Sequence, residues 1–468
     1  MIYFDKNSFL FRYYSGEKVA PILTIFIGGN HESSNFLQEL GYGGWVAPNI
    51  YYLGYAGVIT VNGIRIGGIS GIFKGYNFNK GHFEIAPYDE NNKKSVYHIR
   101  SLEVFRLKQL SPDIDIMLSH DWPANIYNYG NLNQLLRFKP YFREDIENNR
   151  LGSPPCEDLL FTLRPRNWFS AHLHCRFDAT VDHNESERTH FLALDKCLPR
   201  RHFLEVILFG EEDRIIQGET RKEVELCYDL EWLTILSLTN SLLNVKSSYT
   251  KLPKEVHPND DQVRCNFNPT NEEMDVVMKK FKGDLKIPKN FVKTVRAFDP
   301  NVDSKNFHHI NAEVTAELNP QTTQFCEKLG IDDPMYLSLV FAGRDVSSAM
   351  NQATSSKQEE KITEIPTKRA PLSSFLPKPK WSEEIDLDDL EVDTSVDEII
   401  ESSVDEKKET SELQCVVTQE QIDSTTDTSI TVPDSSSEPI VSTSTDLPPI
   451  KKFKRRNQEI YTAEDEET

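Results

Sequence analysis

The sequence predicts an α/β fold in which a sheet is covered by helices, and two observations favour this class. Short apolar runs typical of buried strands recur along the chain, and a segment with helical spacing lies between two of them. The apolar runs are PILTIFI (21–27), VITVNGIRIGGIS (58–70), IDIMLS (114–119), NWFSAHL (167–173) and FLALDKCL (191–198). Alternation of strands with helices favours an α/β protein over an all-β sandwich.

Two segments carry the helical spacing. In SVYHIRSLEVFRLKQL (95–110) apolar residues recur at roughly helical intervals just before the strand IDIMLS. A second helix is predicted to begin near Asn271, in NEEMDVVMKKFKGDL. We therefore expect a first domain over residues 1–219 and a smaller C-terminal α+β unit over residues 220–342.

The last part of the chain has a different composition. Residues 343–468 are rich in Ser, Thr, Asp, Glu and Pro, and such a segment buries too little apolar surface to offset the cost of ordering its backbone. We predict a disordered acidic tail over this range. Within it, Lys451–Arg456 places five cations in six residues, which is typical of a nuclear import signal. We expect a nuclear location and recognition by the import machinery; a charge balance within the tail or a weak contact with RNA is the alternative.

Charge and cysteine content exclude several classes of protein. The 468 residues include 73 acidic and 52 basic side chains, for a net charge of −21. Most of the acidic surplus lies in the tail, so the overall charge does not exclude a nucleic-acid substrate for the N-terminal half. No apolar run reaches the ~18–20 residues of a membrane span, and the N-terminus lacks the pattern of a signal peptide. The 7 cysteines form no CxxC pair, which argues against a disulfide framework and favours a reducing compartment.

Polar groups able to bind metals follow three of the predicted strands. They are Asn30-His31-Glu32, His120-Asp121-Trp122-Pro123 and His172-Leu173-His174. In α/β proteins the loops at the carboxyl ends of strands converge on one crevice, and imidazole with amide oxygen suits Mn, Fe or Zn. On an extended strand His172 and His174 would point the same way and suit one ion or two neighbouring ions. The alternative for this pair is a half-buried strand with its polar residues toward solvent.

The order GNHE, a strand-ending His and then AHLH is similar to the second half of the calcineurin-like metallophosphoesterase signature. Longer blocks narrow the resemblance to the RNA lariat debranching family across roughly residues 9–340. These blocks are IFIGGNHESSNFLQELGYGGWVAPNIYYLGYAGV, GISGIFKG, KGHFE, LSHDWP, WFSAHLHCRF and FLALDKCLPRRHFLEV. The resemblance implies a metallophosphoesterase-type β-sandwich flanked by helices. It also implies hydrolysis of the 2′–5′ phosphodiester at the branch point of excised intron lariat RNA.

The resemblance also implies roles for individual residues. Asn30, His120 and His172 match the ligands of one divalent ion, and His174 matches a ligand of a second. His31 matches the histidine that contacts the phosphate and acts as general acid to the leaving hydroxyl. The family normally binds two divalent ions, for which Mn, Fe or Zn is expected.

A loop near residues 70–97 lies where the family places its lariat-recognition loop. It contains KGYNFNKGHFE (74–84), whose aromatic, cationic and amide side chains fit stacking on splayed bases and contact with phosphates. We expect Tyr76, Lys80 and His82 to bind substrate. The alternative is an ordinary surface loop with two lysines.

The chain shows neither the family's D/C-x-H element nor its Gly-Asp element. Without these, the position of His174 keeps one identified ligand and the other position keeps three. We expect an active enzyme whose sequence record is incomplete at the N-terminus. The alternative is an impaired or non-catalytic lariat-RNA-binding isoform with one ion at most.

Overall fold

The computed structural model describes residues 10–209, 224–253, 264–297, 315–344 and 346. Within these ranges the strands are β1 (Thr24–Phe26), β2 (Gly44–Ala47), β3 (Ile50–Tyr52), β4 (Ala56–Val61), β5 (Ile64–Ile69), β6 (Ile116–Ser119), β7 (Asn167–Ser170), β8 (Phe177–Asp182), β9 (Arg188–Ala193) and β10 (Leu226–Tyr228). The helices of the first part are α1 (Leu10–Tyr14), α2 (Ser34–Gln38), α3 (Gly75–Phe78), α4 (Glu90–Ser95), α5 (Ser101–Leu107), α6 (Leu132–Phe138), α7 (Phe142–Glu147) and α8 (Pro154–Leu163). Those that follow are α9 (Leu230–Leu238), α10 (Asn271–Lys280), α11 (Pro320–Leu329) and α12 (Pro334–Phe341). Apart from three residues at its start, the predicted tail with its basic cluster 451–456 lies outside the described residues.

The described strands form two sheets, and the predicted α/β class is confirmed. The larger sheet is mixed, with seven strands in the order β10-β4-β5-β6-β7-β9-β8. The smaller has the order β1-β3-β2. Strands β5, β6, β7 and β9 run parallel to one another, whereas β4 pairs antiparallel with β5 and β8 pairs antiparallel with β9.

Side-chain alternation gives the large sheet two apolar faces. Val58 and Met117 belong to the main core, together with buried residues of α5, α8 and α9. The adjacent Ile59 and Leu118 face a second cluster with Trp45 and other residues of the small sheet. Because successive side chains of a strand point to opposite faces, the large sheet lies between a helical layer and the small sheet. No helix in the described ranges is both long and apolar enough to cross a membrane.

Local sequence explains where several elements begin and end. Asn62 and Gly63, both with positive φ, form the tight turn that divides the predicted run 58–70 into β4 and β5. Helix α10 begins at Asn271 as predicted, because Thr270 and Glu273 form a capping box.

The helix predicted over 95–110 is shorter in the structure. It is confined to α5, and the preceding backbone pairs with the loop after β5 instead. The Ile72 N–H donates to the Tyr97 carbonyl at 3.1 Å, and the Ile99 N–H donates to the Ile72 carbonyl at 2.9 Å. Because these backbone groups are already paired across the loop, residues 97–99 do not continue the helix.

The C-terminal region packs into the same core. Strand β10 forms one edge of the large sheet by pairing with β4. Trp232 and Ile235 of α9 are buried in the main cluster. Arg65 on β5 donates hydrogen bonds to both carboxylate oxygens of Asp229, at 2.9 and 3.1 Å, and Asp229 caps the N-terminus of α9. The part predicted as a smaller α+β unit is therefore joined to the first part by shared strands, shared core and this ion pair.

The Glu39 carboxyl, just after α2, is a buried contact with later segments of the chain. It accepts hydrogen bonds from Thr294 Oγ1 at 2.8 Å and from Asn319 Nδ2 at 3.2 Å. Burial raises the pKa of Glu39 from 4.5 to about 8. The folded protein thus holds this carboxyl in its protonated form at neutral pH.

We expect Glu39→Gln to reduce the loss of stability on alkalinisation. The unfolded chain releases the Glu39 proton at lower pH than the folded chain, so this group favours folding at low pH and its contribution is lost as the pH rises to about 8. Between about pH 5 and pH 8.5, wild type should lose on the order of 3 kcal/mol more than Glu39→Gln in the free energy of unfolding, measured by urea denaturation. The matched control is Glu185→Gln at an exposed carboxylate, which should follow wild type. Equal pH dependence in wild type and Glu39→Gln would contradict the buried neutral carboxyl.

Candidate functional site

Three loops at the carboxyl ends of strands meet beside the two sheets. β5, β6 and β7 are parallel and in register, with Ile69 opposite Ser119 and Leu118 opposite Phe169. The residues that follow these strands are therefore neighbours. The loop after β1 is fixed to the loop after β5, because the Gly28 N–H donates to Ser70 Oγ at 3.0 Å and the Gly71 N–H donates to the Gly28 carbonyl at 2.8 Å.

These loops bring together Asn30, His120 and His172. His120 Nε2 lies 2.9 Å from Asn30 Oδ1 and 3.1 Å from His172 Nδ1. Burial, and then the nearby His172, lower the pKa of His120 to about 4, so its ring is neutral at pH 7. A neutral imidazole is the form that ligates a metal.

The chemistry of these three atoms fits a cation. Asn30 Oδ1 is an acceptor only, and a neutral imidazole has a single N–H. His172 directs its Nε2 toward Asp121 Oδ1, 3.5 Å away, and a proton on that nitrogen leaves Nδ1 as a lone pair facing His120. The lone pairs of these oxygen and nitrogen atoms then converge, and few N–H protons are available to bond them. A divalent ion stabilises such an arrangement.

Asp121 is a site residue that sequence reasoning missed. Besides its contact with His172, it accepts a hydrogen bond from the Phe73 N–H through Oδ2 at 2.7 Å. Burial raises the pKa of Asp121 to about 6. A carboxylate behind a ligating histidine fixes the orientation and tautomer of the ring. Its position directly after His120 in SHDWP is the sequence signal that could have identified it.

Gly29 has a steric reason to be glycine. A Cβ at this position would lie 2.5 Å from His120 Cε1 and 2.9 Å from His120 Nε2. A Cβ on the adjacent Gly28 would have Leu37 Cδ1 as its nearest contact, at 3.2 Å. The imidazole of His120 therefore reaches Asn30 only because residue 29 lacks a side chain.

His172 and His174 do not lie on a strand, contrary to expectation. β7 ends at Ser170, and both histidines have left-handed backbone conformations, with φ of 57° and 51°. Leu173 and Cys175 are buried, whereas the two histidines are half-buried. The alternation of burial predicted for a strand is present, but a tight loop that buries the intervening apolar side chains produces it.

Trp122 holds this loop in place. Its indole N–H donates to the Ala171 carbonyl at 2.9 Å, directly before His172, and its ring is 1% exposed.

Within the described ranges no group of three or more His, Cys, Asp or Glu side chains is close enough to hold an ion. The structure thus brings Asn30, His120 and His172 together and does not place His174 in such a group.

His31 lies at the exposed rim of the site. It follows Asn30 directly, and its charge lowers the pKa of His120 as a minor contribution, which places the two rings near each other. An exposed imidazole therefore lies beside the Asn30–His120–His172 cluster.

The loop expected to bind substrate divides into exposed and buried parts. Tyr76 is half-buried with its ring edge-on to His98, and Lys80 Nζ lies 5.9 Å from the Tyr76 ring centre. His82 is only 8% exposed; its ring stacks on Tyr55 at 3.7 Å, with Nε2 3.3 Å from a Glu103 carboxylate oxygen. The expectation of an RNA contact at His82 therefore needs correction, because the ring lies in the interior.

A small cavity lies between His82 and the glycines after β1. Its volume is about 30 Å³, and its lining includes Gly28, Gly29, His82, Arg100 and Glu103. The cavity is lined by glycine backbone and by the buried side chains next to His82.

Comparison with known proteins shows the family of this chain. A family model described as "Lariat debranching enzyme, C-terminal domain" matches residues 186–334. The lariat debranching enzyme of Drosophila pseudoobscura pseudoobscura is 46% identical over 99% of this chain and 89% of its own length. The chain belongs to the lariat debranching enzyme family. The family member of Drosophila melanogaster is 44% identical over the same shares, and the Homo sapiens member is 50% identical over 69% of this chain and 58% of its own length.

We expect Gly29→Ala to displace the His120 ring and weaken binding of a divalent ion. The added Cβ cannot coexist with the ring at 2.5 Å, so either the backbone or the imidazole must move. Isothermal titration with Mn²⁺ alone should give a loss of affinity of about 10- to 100-fold, the range for disturbed ligand orientation.

Gly28→Ala is the matched control for this prediction. It adds the same methyl group one residue earlier, where the nearest contact is a flexible leucine side chain, and it should retain most of the wild-type affinity. Equal Mn²⁺ affinities for Gly29→Ala and wild type would show that His120 takes no part in binding the ion.

Proposed function

We propose that this chain is a metal-dependent phosphodiesterase that hydrolyses the 2′–5′ linkage at the branch point of excised intron lariat RNA. The observation that carries the proposal is the convergence of Asn30, His120 and His172 beside the exposed His31. Family membership supports the same substrate, since its relatives are named lariat debranching enzymes.

Asn30, His120 and His172 would hold one divalent ion of the Mn, Fe or Zn class, and His174 is the candidate ligand of a second. A divalent ion bound there would stabilise negative charge on the phosphate as a Lewis acid. Gly29 leaves room for the His120 ring, and Asp121 orients His172. The loop from Phe73 to Lys80 would contact RNA near the branch, with Tyr76 and Lys80 as its candidate residues.

His31 would supply the proton to the leaving ribose oxygen. Its exposed position at the rim lets the imidazole approach a bound phosphodiester without displacing the buried cluster behind it. Protonation of the departing oxygen by a placed imidazolium removes the cost of expelling an alkoxide.

A second candidate function is binding of lariat RNA without efficient cleavage. The described residues favour it in one respect, because no group of three or more His, Cys, Asp or Glu side chains among them could hold an ion. A chain that binds branched RNA tightly and leaves the linkage intact in Mn²⁺ would support this second function and contradict the first.

We expect His31→Ala to lower the rate of debranching by about 10²- to 10⁴-fold, the usual contribution of a general acid. The assay is linearisation of a synthetic branched RNA, followed by gel electrophoresis under single-turnover conditions with Mn²⁺. His190→Ala removes an exposed histidine on β9 and should cleave at the wild-type rate. Cleavage by His31→Ala at the rate of His190→Ala would exclude His31 as the general acid.

We further propose that Lys451–Arg456 directs the protein to the nucleus, where introns are excised. Replacing Lys451, Lys452, Lys454, Arg455 and Arg456 with Ala should shift a fluorescent fusion of the full chain from nucleus to cytoplasm. Replacing Lys378 and Lys380, in the same acidic part of the sequence, should leave the distribution unchanged. A nuclear fusion without the basic cluster would contradict this assignment.

A further inference from the structure

A segment between α9 and α10 pairs with the candidate recognition loop. The Gly81 N–H donates to the Lys246 carbonyl at 3.0 Å, and the Thr250 N–H donates to the Asn79 carbonyl at 2.6 Å. Lys80 and Tyr249 form an antiparallel bridge between these hydrogen bonds. Residues 246–250 thus form a short ribbon with residues 79–81 and extend the surface of the loop.

This ribbon presents an aromatic ring to solvent. Tyr249 is 73% exposed, among the highest values for large apolar side chains in the described ranges. The Gly81 N–H donates to the backbone carbonyl of Lys246 beside the ribbon. The Nζ of Lys246 lies 4.0 Å from the ring centre of Phe341, an exposed residue of α12. We call Tyr249, Lys246 and Phe341 the Tyr249 surface.

The charge of the two paired segments has one sign. Residues 74–82 contain Lys74 and Lys80, residues 244–253 contain Lys246 and Lys251, and neither segment contains Asp or Glu. In a chain of net charge −21 such a carboxylate-free stretch is locally cationic. Local potential, rather than net charge, determines attraction of a polyanion.

Exposed aromatic rings among lysines are the features that bind single-stranded nucleic acid. Bases stack on the rings whatever their sequence, and cations follow the phosphates. An acidic peptide would be attracted by the lysines but has no base to stack on the flat face of Tyr249. The combination therefore favours a single-stranded RNA over an acidic protein segment.

The Tyr249 surface is continuous with the candidate active site. Phe73, at the start of the loop, donates its N–H to Asp121 beside His172, and Lys80 pairs with Tyr249. Lys80 lies seven positions after Phe73, so the two ends of this connection are at most about 25 Å apart. A strand of RNA leaving the site along the loop would reach Tyr249 within a few nucleotides.

We propose that the Tyr249 surface binds a single-stranded arm of the branched RNA, with a base stacked on Tyr249 and a phosphate near Lys246. This inference rests on the proposed function for the identity of the RNA. Binding of single-stranded RNA by an exposed tyrosine and a lysine does not depend on cleavage. The surface would bind the substrate at a place outside the reacting centre.

The test measures binding of a fluorescent linear RNA of about ten nucleotides, a length within the range that one such surface covers. In the full-length protein Tyr249→Ala should weaken binding about tenfold, as expected for the loss of one stacked base, and Tyr249→Trp should restore it. Tyr129→Ala removes another exposed tyrosine, on the turn before α6, and should bind as wild type. Lys246→Ala should reduce the slope of log Kd against log salt concentration by about 0.7, the value for one phosphate contact on a single strand.

Equal Kd values for Tyr249→Ala and Tyr129→Ala would overturn the proposal. Tighter binding by Tyr249→Ala would also overturn it, and would indicate that an acidic segment of the chain covers the ring instead. Cleavage of branched RNA is scored separately in wild type. If the chain does not cleave but Tyr249→Ala still loses affinity for linear RNA, the proposed hydrolase fails and the binding surface stands.

Discussion

The arrangement of the site depends on the hydrogen bonds between the loop after β1 and the loop after β5. Asn30 follows strand β1 of the small sheet, whereas His120 and His172 follow strands β6 and β7 of the large one. The Gly28 N–H and carbonyl are bonded to Ser70 and Gly71, and Ser70 Oγ donates in turn to the Gly54 carbonyl at 2.6 Å. These short backbone contacts hold the sheets at a fixed separation, so an amide from one meets imidazoles from the other.

The polar atoms that meet between these loops are ones that a bound cation would stabilise. Burial favours a neutral His120, and a neutral ring between an amide oxygen and a second imidazole has too few protons for all the acceptors. Asp121 compounds the effect by drawing the His172 proton to the far side of its ring. The same carboxylate accepts the Phe73 N–H, so the Asn30–His120–His172 cluster and the candidate recognition loop share one buried acceptor.

Sequence predicted the parts of the fold that local patterns determine. The apolar runs located the strands that lead into the site, and the strand ends located Asn30, His120 and His172. The sequence predicted a helix that begins near Asn271, and the structure starts α10 there, where Thr270 and Glu273 form a capping box. These features follow from periodicity and turn chemistry over a few residues.

Features that depend on distant partners were not predictable in this way. Residues 97–99 have helical spacing, but Ile72, far away in sequence, supplies their backbone partners. The local sequence of His82 is typical of a surface loop, but contacts with Tyr55 and Glu103 bury its ring. Tyr249 carried no motif at all, and only its pairing with Lys80 places it beside the loop.

The buried interior of the recognition loop explains how one loop can serve both the site and the outer surface. Arg100 donates to Glu84 at 2.7 Å and to the Asn77 carbonyl at 2.8 Å, with every partner buried. Asn77 Nδ2 lies 3.0 Å from His98 Nδ1, and burial followed by nearby cations lowers the pKa of His98 to about 3. His98 therefore stays neutral and accepts this hydrogen bond across the physiological range, so the loop keeps one shape. A loop fixed in advance loses little conformational entropy when RNA binds, which leaves more of the contact energy for affinity.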